Sequence, residues 1–246
     1  MKHSTHRCLQ RADGLSSDTR RDVQLAHSFG LDRSAPTLVV PGSGGLDLAA
    51  IHAASSDFYD DDLPDKGLRI VNPRGLRPGS VHQDVFFAAI PKVLAHKPEC
   101  VFICPNLLGH HEVEIWQKLY GGENNTFLLP KLTQHQLWSL FKSSDVFVSP
   151  SSHDGTPNTL LEAMACGCFP VAGDIESVRE WIHHGVNGLL VDPHDPDALA
   201  QAILTALDQS ELRRRAADQN LAVIQERAAR ESTRPKIENF YSRFIK

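Results

Sequence analysis

The chain has 246 residues, of which 41% are apolar and 22% charged, and a formal charge of −5 at neutral pH. This is the composition of a globular protein with one large or two smaller cores, and it excludes disordered, collagenous and small disulfide-stapled classes. The acidic balance leaves no overall footprint for nucleic acid, and no apolar run approaches the roughly 20 residues of a membrane span.

The opening, MKHSTHRCLQRADG, has no apolar segment of the kind a secretory leader needs, so a cytoplasmic protein is expected. Residues 20–29 read as a short helix ending at Gly30 and residues 37–40 as a strand. A glycine-rich turn, PGSGGLD, and an acidic stretch resembling a linker, DFYDDDLPDKG, follow. A doubly wound domain needs on the order of 100 to 150 residues, so residues 1–66 supply only the remnant of one plus a linker.

From Gly67 to Asp208 short β-rich apolar runs alternate with segments of helical periodicity, the pattern of a parallel sheet with crossover helices. Strands are expected at residues 68–71, 100–103, 126–129, 146–149, 169–172 and 188–191. Several are apolar throughout, as strands covered on both faces must be. Thr133 with Gln136 forms a capping box that opens a helix buried through Leu137, Leu140 and Phe141. A helix from about Thr159 to Cys166 stops at Gly167. Another buries Val178, Trp181 and Ile182 and closes at Gly185, and Asp195-Pro196 opens one that repeats Leu199, Ile203, Leu204 and Leu207. The resulting fold class is α/β, a Rossmann-like parallel sheet with flanking helices, spanning residues 67–225 and followed by a C-terminal crossing helix at 226–246.

The tail from Glu211 onward carries nine Lys and Arg against five Asp and Glu. It suits either a solvated helix face or peripheral contact with an anionic membrane surface. Five cysteines, Cys8, Cys100, Cys104, Cys166 and Cys168, lack zinc-ribbon spacing, and the thirteen histidines form no metal-ligand motif, so no metal and no cofactor is expected.

Chemistry concentrates in SDVFVSPSSHDGTPNTLLEAMACG, residues 144–167. A strand ends there in a glycine-bearing loop, and a helix begins. Free amides at a helix start, with the dipole behind them, favour a diphosphate, and Gly155 permits close backbone approach. Asp154 precedes the helix and Glu162 lies inside it. Carboxylates accept hydrogen bonds from sugar hydroxyls, so the two suit different parts of one ligand. Glu162 also completes a capping box with Thr159, which leaves a purely structural role open for it.

HDGTPNTLLEAMACGCFPVAGD resembles the donor-site signature of the group 1 glycosyltransferases, retaining enzymes of the GT-B fold with an acidic pair around G-x-P and L-E-A-M-A-x-G. The segments TFLLPKLTQHQLWSLFKSSDVFVSPS and VREWIHHGVNGLLVDPHDPDALAQAI resemble what precedes and follows it. The resemblance implies hexosyl transfer from a nucleoside diphosphate sugar. It implies that Glu162 holds the donor ribose and that Asp154, where the family usually has Glu, faces the sugar. Backbone amides around Gly155, Thr156, Pro157, Asn158 and Thr159 would meet the diphosphate and sugar, Pro157 lacking a donor. The family's basic pair maps to VNPRGLRPGS, which nominates Arg74 and Arg77 as the phosphate-binding and catalytic cations without a clear counterpart for the family lysine. The nucleobase would meet Pro130, Lys131 and Leu132.

By the same resemblance, LSSDTRRDVQLAHSFGLDRSAPTLVVPGSGGLD corresponds to the end of an acceptor domain, and the tail crosses back toward it, leaving Phe240, Tyr241, Phe244 and Ile245 exposed. The expected partners are a nucleotide-sugar donor, a glycan, lipid or small-molecule acceptor, and a separate acceptor-domain module. The alternative is a catalytically silent nucleotide-sugar-binding module.

Overall fold

A computed structural model describes residues 2–58, 63–64 and 67–245. Most of the expected linker, residues 59–62 and 65–66, lies outside the described residues. The chain opens with helix α1 (Lys2–Leu9), strand β1 (Leu15–Ser17), helix α2 (Arg20–Ser28), strand β2 (Thr37–Val39) and helix α3 (Leu48–Ala53). β1 and β2 pair in parallel as a small sheet of their own, with Ser16 opposite Leu38. Thr19 starts α2 by accepting the Asp22 amide at 3.0 Å, one of the orphan donors every helix start must satisfy.

The larger body alternates strands and helices. It runs β3 (Arg69–Val71), α4 (Gln83–Leu94), β4 (Val101–Pro105), α5 (His111–Tyr120), β5 (Thr126–Leu129), α6 (Gln134–Lys142), β6 (Val146–Ser149), α7 (Asn158–Ala165), β7 (Phe169–Gly173), α8 (Glu176–Arg179), β8 (Leu189–Val191) and α9 (Pro196–Asp208). The long helices α10 (Ser210–Arg227) and α11 (Arg230–Ser242) close the chain. All six expected strands are present, in one parallel sheet of order β5-β4-β3-β6-β7-β8.

Alternation along each strand divides the core between the two faces of the sheet. Val71, Ile103, Phe147 and Ala172 pack with α6 and α7, while Ile70, Phe102, Val146 and Val171 pack with α4 and α9. Every residue of β4 and β6 is buried, which is why these strands are apolar but for Ser149 at the end of β6. Fully burying side chains such as Phe102 and Phe147 contributes about 1.5–3 kcal/mol each.

The sheet order fixes where a ligand can sit. After β3 the chain builds outward through β4 and β5, then returns to place β6 on the other side of β3. Such a reversal opens a crevice at the carboxyl ends of the two central strands. The loops after β3 and β6 face that crevice.

The two ends of the chain clamp together. The Leu46 amide donates to the Ala228 carbonyl at 2.7 Å, the Arg230 amide donates to the Leu46 carbonyl at 2.8 Å, and the Thr233 hydroxyl donates to the Gly44 carbonyl at 2.6 Å. Gly45, with φ +104°, has no room for a Cβ beside the Thr233 hydroxyl. Hence the glycine-rich turn.

Three expectations change. The helix expected to bury Val178, Trp181 and Ile182 is α8, only four residues long; Trp181 and Ile182 are buried in the turn beyond it, and Gly185 closes that turn at φ +76°. Phe240 is buried rather than exposed, because its ring and that of Phe244 close over Gly14; Tyr241, Phe244 and Ile245 keep substantial exposure. The expected Thr159–Glu162 capping box does not form. α7 begins at Asn158 behind Pro157, whose side chain makes no cap bond.

Candidate functional site

The residues after β3 set the first wall of the crevice. Asn72 and Gln83 are fully buried and bond to each other, Asn72 Nδ2 donating to Gln83 Oε1 at 2.7 Å. Their remaining polar atoms clasp the backbone of Arg74: its amide donates to Asn72 Oδ1 at 3.1 Å, and its carbonyl accepts from Gln83 Nε2. Buried polar groups must be paired, so this closed network fixes the Arg74 main chain before its side chain is considered.

That side chain crosses to the loop after β6. Arg74 Nη2 donates to Asp154 Oδ2 at 2.5 Å, and Nη1 donates to the Thr159 hydroxyl at 3.3 Å. The pair is largely withdrawn from solvent, with side-chain exposures of 9% for Arg74 and 17% for Asp154. Burial lowers the guanidinium pKa, Asp154 counters it by favouring the cation, and Arg77 lowers it further. Asp154 is held in turn through its carbonyl, which accepts the hydroxyl of the buried Ser177 at 2.9 Å.

Beyond Asp154 the loop meets the N-terminal segment. The Thr156 amide donates to Asp18 Oδ2 at 3.0 Å, and the Thr156 hydroxyl donates to the Asp18 carbonyl at 2.6 Å. A Cβ on Gly155 would stand 2.5 Å from the Asp18 carboxylate, so glycine is required here for the approach of Asp18. Sequence reasoning missed Asp18. The only signal was its place at the end of a strand too short and too serine-rich to register.

The first amides of α7, on Asn158 and Thr159, donate to no described residue. With the helix dipole behind them they form an anion seat. Pro157 stiffens the entry without removing a needed donor. α7 ends where Gly167 takes φ +82°.

Glu162 lies one turn inside α7, with 8% of its surface exposed and no cationic partner among the described residues. Burial pushes its carboxyl up to about 7, countered in part by a hydrogen bond from Gln134 at the start of α6. Gln134 follows the loop carrying Pro130, Lys131 and Leu132, of which the first two are exposed and Leu132 half-buried. The Pro130 carbonyl accepts the Asn106 amide at 3.2 Å, and Asn106 also lies against Gly75, where a Cβ would meet its side-chain nitrogen at 2.6 Å. Asn106, with φ +64°, thus joins the loops after β3, β4 and β5 at one end of the sheet. It carried no signal in the sequence.

Arg77 stands apart from this cluster. Its side chain is exposed, makes no ion pair with a described residue, and lines a cavity of about 430 Å³ with His82, Asp84, Glu112 and Trp116. The site therefore joins Arg74, Asp154, Thr159 and the α7 amides directly, places Glu162 and residues 130–132 along the same edge, and leaves Arg77 at its rim.

Three of the five cysteines serve the core, while Cys8 is exposed and Cys166 half-buried. Cys100, Cys104 and Cys168 are buried, and burial pushes the thiols of Cys100 and Cys166 up to about 12. Among the described residues no group of three or more His, Cys, Asp or Glu is arranged to hold a metal ion, and no helix is long and apolar enough to cross a membrane.

The chain is similar in sequence and in overall fold to known proteins. A curated relative, D-inositol 3-phosphate glycosyltransferase of Salinispora tropica, is 27% identical over 212 residues, covering 78% of this chain and 43% of the relative. The chain spans about half the length of the curated relatives it matches. Among solved structures, Anabaena Alr3699/HepE in complex with UDP and glucose superposes with a TM-score of 0.81 at 18% identity, covering 98% of this chain and 66% of that one. The C-terminal domain of a group 1 family glycosyl transferase (LpcC) from Francisella tularensis gives a TM-score of 0.62 at 21% identity, covering 74% of this chain and 97% of that one. The family described as glycosyl transferases group 1 matches residues 81–221, more than half of the chain, so the chain belongs to the group 1 glycosyl transferases and carries the Rossmann-like half of a GT-B fold.

Proposed function

We propose that this chain binds a nucleoside diphosphate sugar in the crevice between β3 and β6 and takes part in retaining transfer of its hexosyl group. The observation that carries the reading is the Arg74–Asp154 contact beside the first amides of α7, which no described residue accepts. A cation, a carboxylate and two backbone donors share one edge of the sheet. In that pose the diphosphate lies on the Asn158 and Thr159 amides, where Arg74 meets its charge bidentately. Asp154 accepts hydroxyls of the sugar, Glu162 accepts those of the ribose, and residues 130–132 edge the base.

Cleavage of the bond between the anomeric carbon and the diphosphate oxygen leaves positive charge on the sugar ring and negative charge on the leaving group. Fixed donors aimed at that anion stabilise the transition state more than the ground state. Retention requires the acceptor hydroxyl to enter on the face the diphosphate leaves. That hydroxyl belongs to a glycan, lipid or small molecule, held by an acceptor module beyond β1 and β2, in the same polypeptide or in a partner.

A uridine diphosphate hexose is the first donor to test, since the Anabaena neighbour was solved with UDP and glucose. Release of diphosphate nucleotide from UDP-, GDP- and ADP-hexoses, with and without added acceptors, tests turnover. Release that Arg74→Ala abolishes supports transfer. Binding without release under all conditions identifies a silent nucleotide-sugar module instead.

A further inference from the structure

A second polar pocket, of about 130 Å³, lies behind the donor loop where the N-terminal segment, the turn after α8 and the C-terminal helices meet. Its lining includes Asp18, Arg20, Glu180, Trp181, Arg227 and Lys236. Both carboxylates are already committed to backbone amides. Glu180 accepts Arg20 N at 2.9 Å and Arg21 N at 3.3 Å, and Asp18 accepts Thr156 N.

The three cations are not so satisfied. Arg20, Arg227 and Lys236 form no ion pair with any described residue. Arg227 is half-buried, with its guanidinium 4.3 Å from the centre of the Trp181 ring and one donor given to the Glu180 carbonyl at 2.7 Å. No described residue takes the rest of its fork. A guanidinium presents its donors in a plane that fits an oxyanion bidentately, and stacking on an aromatic face fixes that plane.

We infer that this pocket is a binding site for a phosphate-class oxyanion, held by Arg227 with Arg20 and Lys236 closing over it. The pocket shares a wall with the donor loop, because Trp181 Nε1 donates to the Thr156 hydroxyl at 3.4 Å and Asp18 holds the Thr156 amide. A phosphorylated co-substrate anchored here borders the loop that carries Asp154, through Thr156. Its identity as the acceptor rests on the transferase reading above; the occupancy of the pocket by an oxyanion does not.

Calorimetric titration of the full chain with inorganic phosphate and with glycerol 3-phosphate tests the site, alongside flotation with phosphatidylcholine vesicles containing phosphatidic acid. Binding of the soluble probes points to a soluble phosphate ester, and binding of the vesicles alone points to a lipid headgroup. Arg227→Gln is expected to weaken binding about tenfold, as loss of a charge-assisted hydrogen bond does. Because Arg227 also packs on Trp181, the exposed Lys236→Gln provides a second test, with an expected loss of about threefold at low salt. Arg74→Ala should leave phosphate binding at this pocket unchanged. Absence of binding to every probe, indifference to both pocket variants, or loss with Arg74→Ala alone would overturn the assignment. Titration with the nucleotide sugar reports separately on the donor site.

Discussion

Arg74 and Asp154, 80 positions apart in the chain, meet at 2.5 Å across the crevice between β3 and β6. The contact holds the two halves of the sheet together where their loops converge. It also keeps a cation and a carboxylate in one place. Arg74→Ala removes a mostly buried partner and leaves Asp154 without its counter-charge, so a stability loss of about 2 kcal/mol is expected by denaturant unfolding. The same variant should weaken UDP binding more than uridine binding. Equal losses for the two ligands would remove the phosphate role.

Arg77, exposed at the rim, should behave differently. Its replacement by Ala is expected to change stability by less than about 0.5 kcal/mol, as exposed substitutions do. Its effect on UDP affinity should be smaller than that of Arg74→Ala. An equal or larger effect would make Arg77 the principal phosphate ligand.

Glu162 gives the site a pH dependence. Its folded-state carboxyl stands at about 7, above its unfolded value of 4.5. Between those values the folded protein holds a proton that the unfolded chain has lost, so stability falls as pH rises from 4.5 toward 7. The penalty is fully present above pH 7 and is on the order of 3 kcal/mol. Glu162→Gln should therefore gain stability relative to the parent as pH rises through that window, which thermal unfolding at several pH values reads. Donor affinity should run the other way. Ribose hydroxyls bond best to the ionised carboxylate, so affinity rises with pH through about 7, and the rise disappears in Glu162→Gln.

Gly155 and Asp18 form a second testable pair. Alanine at 155 would place Cβ 2.5 Å from Asp18 Oδ2, and crowding of this kind costs about 1–3 kcal/mol. In the Asp18→Ala background the same change should cost much less. A double-mutant cycle on stability measures the difference; additivity within error would show that the two residues do not touch.

The sheet was legible because apolar runs covered on both faces leave little choice. Residues 126–129 and 146–149 form strands with the expected bounds, and the Thr133–Gln136 capping box is present. The two carboxylates stood out through a motif whose spacing is set by a strand, a loop and a helix start, whereas Arg74 was nominated only through the resemblance of VNPRGLRPGS to the family's basic pair. Other features had no local signal. Thr159 looked like a cap, but its hydroxyl accepts from Arg74, a partner 85 positions away. β1, with two serines in three residues, is stabilised by pairing with β2 rather than by its own propensity. Asp18 and Asn106 take their places from tertiary contacts alone, and the three cations behind the donor loop come from segments more than 200 residues apart.

The central claim is that the crevice between β3 and β6 holds a nucleotide sugar, and calorimetric titration of the full chain with UDP-, GDP- and ADP-hexoses measures it directly. The expected result is saturable binding of one donor class, weakened at least about tenfold by Asp154→Ala and by Glu162→Ala, each of which removes hydrogen bonds to a charged group. Absence of binding to all three, or binding that both variants leave intact, would contradict it.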